Sequence, residues 1–289
     1  VHVRRPGFEA QRYSALVRRG ASLAIELDLH ETGTSPEGFV YVPPGPYVFG
    51  DRKAFRASRR TESSIDGFWI QATPVTFRQY CEFLNDPVVR MRIEESNDEQ
   101  RLLPRWTPTG QDNGPLFVEQ NDEGRYWTRK AAADAAVLGV YLTAPLAYVE
   151  WLNEKAEAAG EPWVYDLPNE EQFEKAARGA DGRAFAWGPR FDNNLCIGQG
   201  RLKGLGLYWA PIRCEPRDES PYEVADTTGC RWEMVRSQDK QAHSEMSDEK
   251  GWLCKGGHWS GYGTSYRIAS RGWGDGRPFS GFRVVATRR

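Results

Sequence analysis

Thiols and imidazoles are the side chains in this chain best suited to redox or metal chemistry, so their spacing decides what chemistry is open to it. The five cysteines are Cys81, Cys196, Cys214, Cys230 and Cys254. Their number is odd and no C-x-x-C occurs, which argues against a disulfide framework and against a structural zinc site. Scattered, reduced thiols fit a cytoplasmic protein. Cys81 falls on the apolar side of a predicted helix and is expected in the core. The histidines, His2, His30, His243 and His258, form no i,i+4 pair and no two-His-one-carboxylate pattern, so a non-haem iron site is not expected. There is no G-x-S-x-G elbow for nucleophilic catalysis. Gly200-x-x-x-Gly204-x-Gly206 is glycine-rich, but no Lys-Ser/Thr follows it, and a phosphate cradle is not expected.

Composition narrows the partners. The 289 residues suffice for one large domain with a small appendage. A net charge of −2 points away from nucleic acid and from an anionic membrane surface. No apolar run reaches the roughly 18–20 residues that span a bilayer. The first residues, VHVRRPGFEA, lack a Met and an apolar h-region, so they are not expected to be a signal peptide. They read as the interior of a domain, and the chain is expected to be a piece of a longer protein. Eleven Trp among 29 Gly indicate an irregular, loop-rich fold in which most of the aromatic rings are core.

The elements follow from periodicity. Residues 1–37 read as a partial β-rich appendage or spacer, with short strands at Val1–Val3, Tyr13–Arg18 and Ala21–His30. In the last of these Leu23, Ile25, Leu27 and Leu29 alternate with polar or small residues. Glu31–Gly38 is the linker, and residues 38–289 form the main domain. FVYVPPGPYVFG reads as strand, turn, strand, and Ile65–Ile70 as another strand. A helix starts at its N-cap Thr76, shows an apolar stripe of Tyr80, Phe83 and Leu84, and stops at Asn85-Asp86-Pro87. Residues 90–135 are polar and are expected to wander over the surface. A second helix covers Ala144–Ala158, with Leu146, Val149, Leu152 and Ala156 on one stripe and Gly160 after it. A third is capped by Asn169, with Gln172 placed to reciprocate, and turns Phe173, Ala176 and Ala177 inward before Gly179. Ser237–Lys250 mixes charges of both signs and reads as a solvated loop.

With these pieces in order, the chain resembles the formylglycine-generating, sulfatase-modifying-factor family over about residues 39 to 286. Pro74-Val75-Thr76 with Tyr80 and Phe83 is similar to that family's helix entry. Leu167–Gly179, LPNEEQFEKAARG, is similar to its LP-T-E-x-E-W-E-x-A-A-R-G hallmark. Trp187-Gly188, Gly229-Cys230-Arg231-Trp232-Glu233, Gly256-Gly257 and Gly281-Phe282-Arg283 complete the set. The resemblance implies an α+β, C-type-lectin-like fold. Arg178 and Arg283 are then expected as buried structural staples, a role that suits a planar, permanently charged guanidinium.

The resemblance also implies what is missing. Family enzymes place a cysteine pair after the double glycine to bind copper and activate dioxygen, and soft thiolates select Cu(I). Here that segment holds Ser260, Gly261, Tyr262, Gly263, Thr264, Ser265 and Tyr266, and Cys254 stands alone before it. Copper is not expected, and no other cofactor is required. The family's G-N-x-W-E run resembles a calcium site, for which Glu233 and Asn194 are the remaining candidates. Cys230 replaces the Asn, which weakens that site, because calcium takes six to eight hard oxygens.

A non-catalytic module that binds a protein or peptide ligand is therefore expected. The ligand face would carry Trp259, Tyr262, Ser265, Tyr266, Arg271, Trp273, Asp275, Arg277 and Phe279, the Tyr/Trp/Arg with Ser/Gly mixture of an adaptable paratope. The same C-terminal region resembles the variable region of diversity-generating retroelement proteins, an alternative reading as a variable ligand-binding protein. Residues 1–37 are similar to the spacer of bacterial serine/threonine kinase fusions, which implies a fused or associated kinase or effector domain in a cytoplasmic signalling protein. A sulfatase-modifying-factor-type oxidoreductase is the remaining alternative.

Overall fold

The computed structural model describes residues 1–96, 102–104, 118–130, 132–198, 210–229, 231–237, 251–257, 263–272 and 280–289. The Gly200–Gly206 run, Cys230, His243, His258 and nearly all of the Ser237–Lys250 insert lie outside these residues.

Short extended segments pair into several small sheets. Strand β1 (His2–Val3) pairs with β2 (Gln11–Arg12). Strands β3 (Phe39–Val42) and β4 (Gly45–Phe49) flank a Pro-Pro turn, yet they do not pair with each other. β4 takes β5 (Thr61–Ile65) as its antiparallel partner, and β3 takes β6 (Phe68–Gln71). The strand expected at Ile65–Ile70 is thus two strands broken at Asp66-Gly67, where any Cβ on Gly67 would collide with the Tyr41 side chain. The buried Lys175 ammonium closes the Pro-Pro turn by donating to Pro43 O (2.6 Å) and Gly45 O (3.1 Å). Burial lowers its pKa to about 8.

Further along, β7 (Val118–Gln120) and β8 (Tyr126–Thr128) form a hairpin. Strand β9 (Trp163–Asp166) ends at Leu167-Pro168, as expected of a residue before proline. Strands β10 (Trp232–Arg236), β11 (Trp252–Lys255) and β12 (Ser280–Gly281) make a three-stranded sheet in the order β11-β10-β12, with β12 parallel to β10. The last strand, β13 (Val285–Arg288), enters a four-stranded antiparallel sheet in the order β3-β6-β13-β9.

Helix α1 (Phe77–Leu84) has a complete capping box: Thr76 accepts from the Gln79 backbone while Gln79 accepts from the Thr76 backbone. Pro87, expected as a terminator, opens α2 (Pro87–Ser96), because proline is well placed in the first turn of a helix. Asp86 Oδ1 accepts from Val88 N at 3.0 Å and caps it. The surface stretch expected from residue 90 therefore begins with a helix. Helix α3 (Thr143–Ala158) buries Ala144, Pro145, Tyr148, Val149, Trp151 and Ala156, while Leu146 faces solvent. The buried stripe is rotated from the expected one because the two aromatics take the inner face. Helix α4 (Glu170–Arg178) starts at Asn169 and ends at Gly179, with the Asn169–Gln172 capping box formed.

The main core lies between α1, α3 and the last strands. Phe83 meets Tyr148 at 5.4 Å and Trp151 at 5.5 Å, and Tyr148 meets Phe282 at 5.3 Å, all three edge-on. Such ring pairs add about 0.5–1.5 kcal/mol each beyond area burial. Cys81 sits in this core, where burial, with Glu82 adding to it, pushes its thiol up to about 12.

Residues 1–37 do not form the three-stranded piece expected of them. Ala21–His30 is not in a strand, and Leu16, Val17 and Leu23 stay exposed. Alternation alone gives no strand without an edge to pair with, and here the backbone is tied by other means. Glu9 N donates to His30 O (2.8 Å), and Gln11 Nε2 to Asp28 O (2.8 Å). Trp69 Nε1 donates to Ser35 Oγ (2.8 Å) and Ala180 N to Ser14 Oγ (3.0 Å), so the segment is stitched onto the larger body. Among the described residues no helix is long and apolar enough to cross a membrane.

Candidate functional site

Spacing on α4 sets up the region beneath the C-terminal segment. Glu170, Glu174 and Arg178 recur every four residues, so two carboxylates and a guanidinium stack along one helix face. That face is buried. Lys255 of β11 reaches it with Nζ 2.6 Å from Glu174 Oε1 and 3.4 Å from Glu170 Oε1, and donates a third bond to Ala269 O (3.0 Å). Arg178 pairs with Glu174 Oε2 and donates to the carbonyls of Gly50 (3.2 Å), Gly182 (2.8 Å) and Arg183 (2.7 Å). Removing ions from water costs several kcal/mol each, which only close pairing and full hydrogen bonding offset. Burial alone would raise the Glu174 pKa. The charges of Lys255 and Arg178, with the bonds from Lys255 and Gly50 N–H, outweigh it and hold the carboxyl below its usual value.

The C-terminal segment plugs into this network. Arg271 donates from Nε to Glu170 Oε1 (2.7 Å) and from Nη2 to Glu170 Oε2 (2.8 Å) and Ser58 Oγ (2.6 Å). Arg271 N donates to Phe55 O (3.0 Å), and Phe55 N to Ser270 Oγ (3.2 Å). Arg267 Nε reaches Asp51 Oδ2 at 2.7 Å while its guanidinium lies 5.6 Å from the Phe185 ring centre. The loop from Asp51 to Ser58 and the segment from Gly263 to Arg271 are therefore one surface.

The sequence places Ser265, Tyr266 and Arg271 on the ligand face, and the structure separates them. Ser265 is half-buried on a 3-10 turn at Gly263–Tyr266. Tyr266 is buried against Ala184 and Phe185, and stacks on Phe191 at 5.3 Å. Arg271 turns inward because Glu170 offers a bidentate acid in a dry site. Both side chains thus lie inward of the protein surface. Trp259, Tyr262, Trp273, Asp275, Arg277 and Phe279 lie outside the described residues. What bounds Trp273–Phe279 is described. Gly272 bridges to Cys254 in β11, and Ser280 pairs with Trp232 in β10. Gly272 lies so close to the Trp232 ring that a Cβ there would come within 2.7 Å of it, and a Cβ on Gly281 would overlap Val137 O.

Arg178 and Arg283 are both fully buried. Arg283 donates from Nε to Glu233 Oε2 (2.6 Å) and from Nη2 to Glu233 Oε1 (2.7 Å), and further to Ala225 O (2.9 Å) and Gln71 O (3.3 Å). Both oxygens of Glu233 thus face a guanidinium, an environment that does not fit a calcium ion. Asn194 stands exposed on a separate 3-10 turn. Two of the described cysteines can be placed by their neighbours. Cys254 is fully buried, with Sγ 3.6 Å from Ser280 Oγ, and Cys81 belongs to the α1 core. No group of three or more His, Cys, Asp or Glu among the described residues is arranged to hold a metal.

Two features had no counterpart in the sequence reading. Asp218 is buried with its pKa well above the carboxylate range, through burial first and the charge of Asp226 second. A cavity of about 210 Å³ is lined by Tyr13, Leu16, Val17, Leu23, Pro46 and Val48, among others, and contains none of the candidate residues. The ionic network itself could have been found from the four-residue recurrence of charge in NEEQFEKAAR, had that face been weighed as buried.

Comparisons with known proteins agree with this architecture. A curated relative, the uncharacterized protein YfmG of Bacillus subtilis (strain 168), is 25% identical over 249 residues, 72% of this chain and 43% of that protein. The chain thus spans under half the length of that relative. Among solved structures, PvdO from Pseudomonas aeruginosa matches with a TM-score of 0.60 at 16% identity, covering 86% of this chain and 93% of that one. Treponema denticola variable protein 1 matches at 0.57 and 14%, covering 87% and 95%. CarF matches at 0.54 and 17%, covering 86% and 98%. At these identities the likeness is one of fold, the C-type-lectin-like fold shared by formylglycine-generating-enzyme-like domains and variable proteins. Residues 27–288 match the model of the sulfatase-modifying factor enzyme 1-like domain, and the chain belongs to that family.

Proposed function

We propose that this chain is a non-catalytic recognition module that binds a protein or peptide ligand through the segment between Gly257 and Gly281. The observation that carries the reading is chemical. After the double glycine the chain offers hydroxyls, glycines and aromatics where family enzymes are expected to place thiolates. Ser and Gly make adaptable contacts, and Tyr, Trp and Arg make anchors. The reading includes attachment to a larger bacterial signalling or effector chain, such as a cytoplasmic serine/threonine kinase fusion, with no need for copper or calcium. The test is binding of a purified partner to Trp273→Ala and Arg277→Ala, with affinity expected to fall about tenfold. Unchanged affinity in both counts against the face. Anaerobic copper(I) titration addresses the oxidoreductase alternative, which tight stoichiometric binding would restore.

A second reading is favoured by the likeness to Treponema denticola variable protein 1. In it the same segment is the diversified region of a retroelement target. A near-copy of its coding segment beside a reverse transcriptase gene would support that reading.

A further inference from the structure

The loop that braces the C-terminal segment is unusually basic. From Arg52 to Arg60 the chain reads RKAFRASRR, five cations in nine positions, with no carboxylate between Asp51 and Glu62. Arg52, Lys53, Phe55, Arg56, Arg59 and Arg60 are all exposed. The carboxylate at the loop's start is engaged elsewhere, and Arg60 Nη2 donates to Asp181 O (3.2 Å). Asp51 is buried, with Oδ2 held by Arg267 and Oδ1 accepting from Lys53 N (3.0 Å). Among the described residues no carboxylate forms an ion pair with Arg52, Lys53 or Arg59.

A run of cations is usually a solvated face, and two observations set this one apart. The first is rigidity. Asp51 N donates to Ser58 O (3.1 Å) and Ala54 N to Asp51 O (3.1 Å). Gly50 N donates to Glu174 Oε2 (2.9 Å), and Arg271 grips both Phe55 O and Ser58 Oγ. The loop is thus anchored to the buried ions, and a ligand would meet it already ordered. The second is the display of Phe55. Arg56 holds a left-handed φ of 52°, a conformation uncommon for a side-chain-bearing residue. The Arg56 guanidinium lies 5.1 Å from the centre of the Phe55 ring, which is 43% exposed. An exposed ring beside a guanidinium, with Arg52 and Lys53 exposed on the same loop, suits a partner that is acidic with an apolar contact.

We propose that the loop from Asp51 to Arg60 is a docking site for an acidic, extended peptide segment of a protein partner. Guanidinium forks take carboxylates bidentately, and Phe55 supplies the apolar anchor. A nucleic acid fits less well, because the chain as a whole carries net −2 and the loop displays one aromatic ring rather than a stacking row. The proposal extends the recognition reading to a second element and names its chemistry.

The experiment uses the full chain and a fluorescein-labelled ten-residue peptide of Glu and Phe, read by fluorescence polarisation. Its controls are the Gln-for-Glu peptide and a ten-nucleotide oligo-dT. The Glu peptide is expected to bind, to weaken at least tenfold in Arg52→Glu/Lys53→Glu, and to weaken about fivefold in Phe55→Ser and again as salt is raised. Trp273→Ala, which tests the C-terminal face, is expected to leave this binding within twofold. Failure of one reading is therefore separable from failure of the other. No binding of the Glu peptide, equal binding by the charge-reversed variant with its melting temperature unchanged, or tighter binding of oligo-dT would each overturn the proposal.

Discussion

The two ends of this molecule's interior are held by opposite means. Around α1 and α3 the core is made of rings, with Phe83, Tyr148, Trp151 and Phe282 in edge contact and hardly a charge among them. Around α4 the interior is made of ions: Glu170, Glu174, Lys255, Arg178 and Arg271 pair with one another and with backbone carbonyls. Apolar contacts are non-directional and tolerate rearrangement. Buried ion pairs tolerate little, since each partner is expensive when left alone. The difference teaches where geometry is set: the ring core keeps the domain folded, while the ionic core fixes how the loop at residues 50–58 and the segment at 263–272 sit against it.

That contrast can be broken most directly by Glu174→Ala, which strands Lys255 and Arg178. It is expected to cost about 5 kcal/mol in urea unfolding, the upper end for a broken buried pair. Phe83→Ala should cost about 4 kcal/mol by leaving a cavity among its neighbours. If the Glu174 variant proves the milder of the two, the ionic region is not held by its ions. The pH profile sharpens the same point. The folded-state pKa of Glu174 is depressed, so its contribution is full above the unfolded value near 4.3 and lost as pH falls through the folded one. The wild type should therefore lose stability on acidification more steeply than Glu174→Gln, in melts between about pH 5 and pH 3. A parallel slope in the two proteins would remove Glu174 from the account. Smallest is Ser58→Ala, expected to cost about 1 kcal/mol for one bond to Arg271. Its signature is faster amide exchange confined to the Asp51–Ser58 loop, with the ring core unaffected.

How much was legible in the sequence follows the same division. Helices announced by capping residues were readable, because Thr76/Gln79 and Asn169/Gln172 carry their own local chemistry. Pro87 was ambiguous, since one residue type both ends helices and begins them. The alternation in Ala21–His30 was misleading, because a strand needs a neighbour as well as a pattern. The family motifs fixed the architecture, yet the roles of Tyr266 and Arg271 depended on what lay behind them. Whether a charged helix face meets water or Lys255 is a tertiary fact. So is the bracing of a basic loop by a segment more than two hundred residues away.

The seams at Gly272 and Ser280 carry one more implication. Gly272 bridges to Cys254 of β11 and Ser280 pairs with Trp232 of β10, so both anchor points sit on one three-stranded sheet. Between two fixed points, doubling the length of a flexible connection costs only about 0.6 kcal/mol of closure entropy. Foreign peptides grafted there would inherit a ready-made frame.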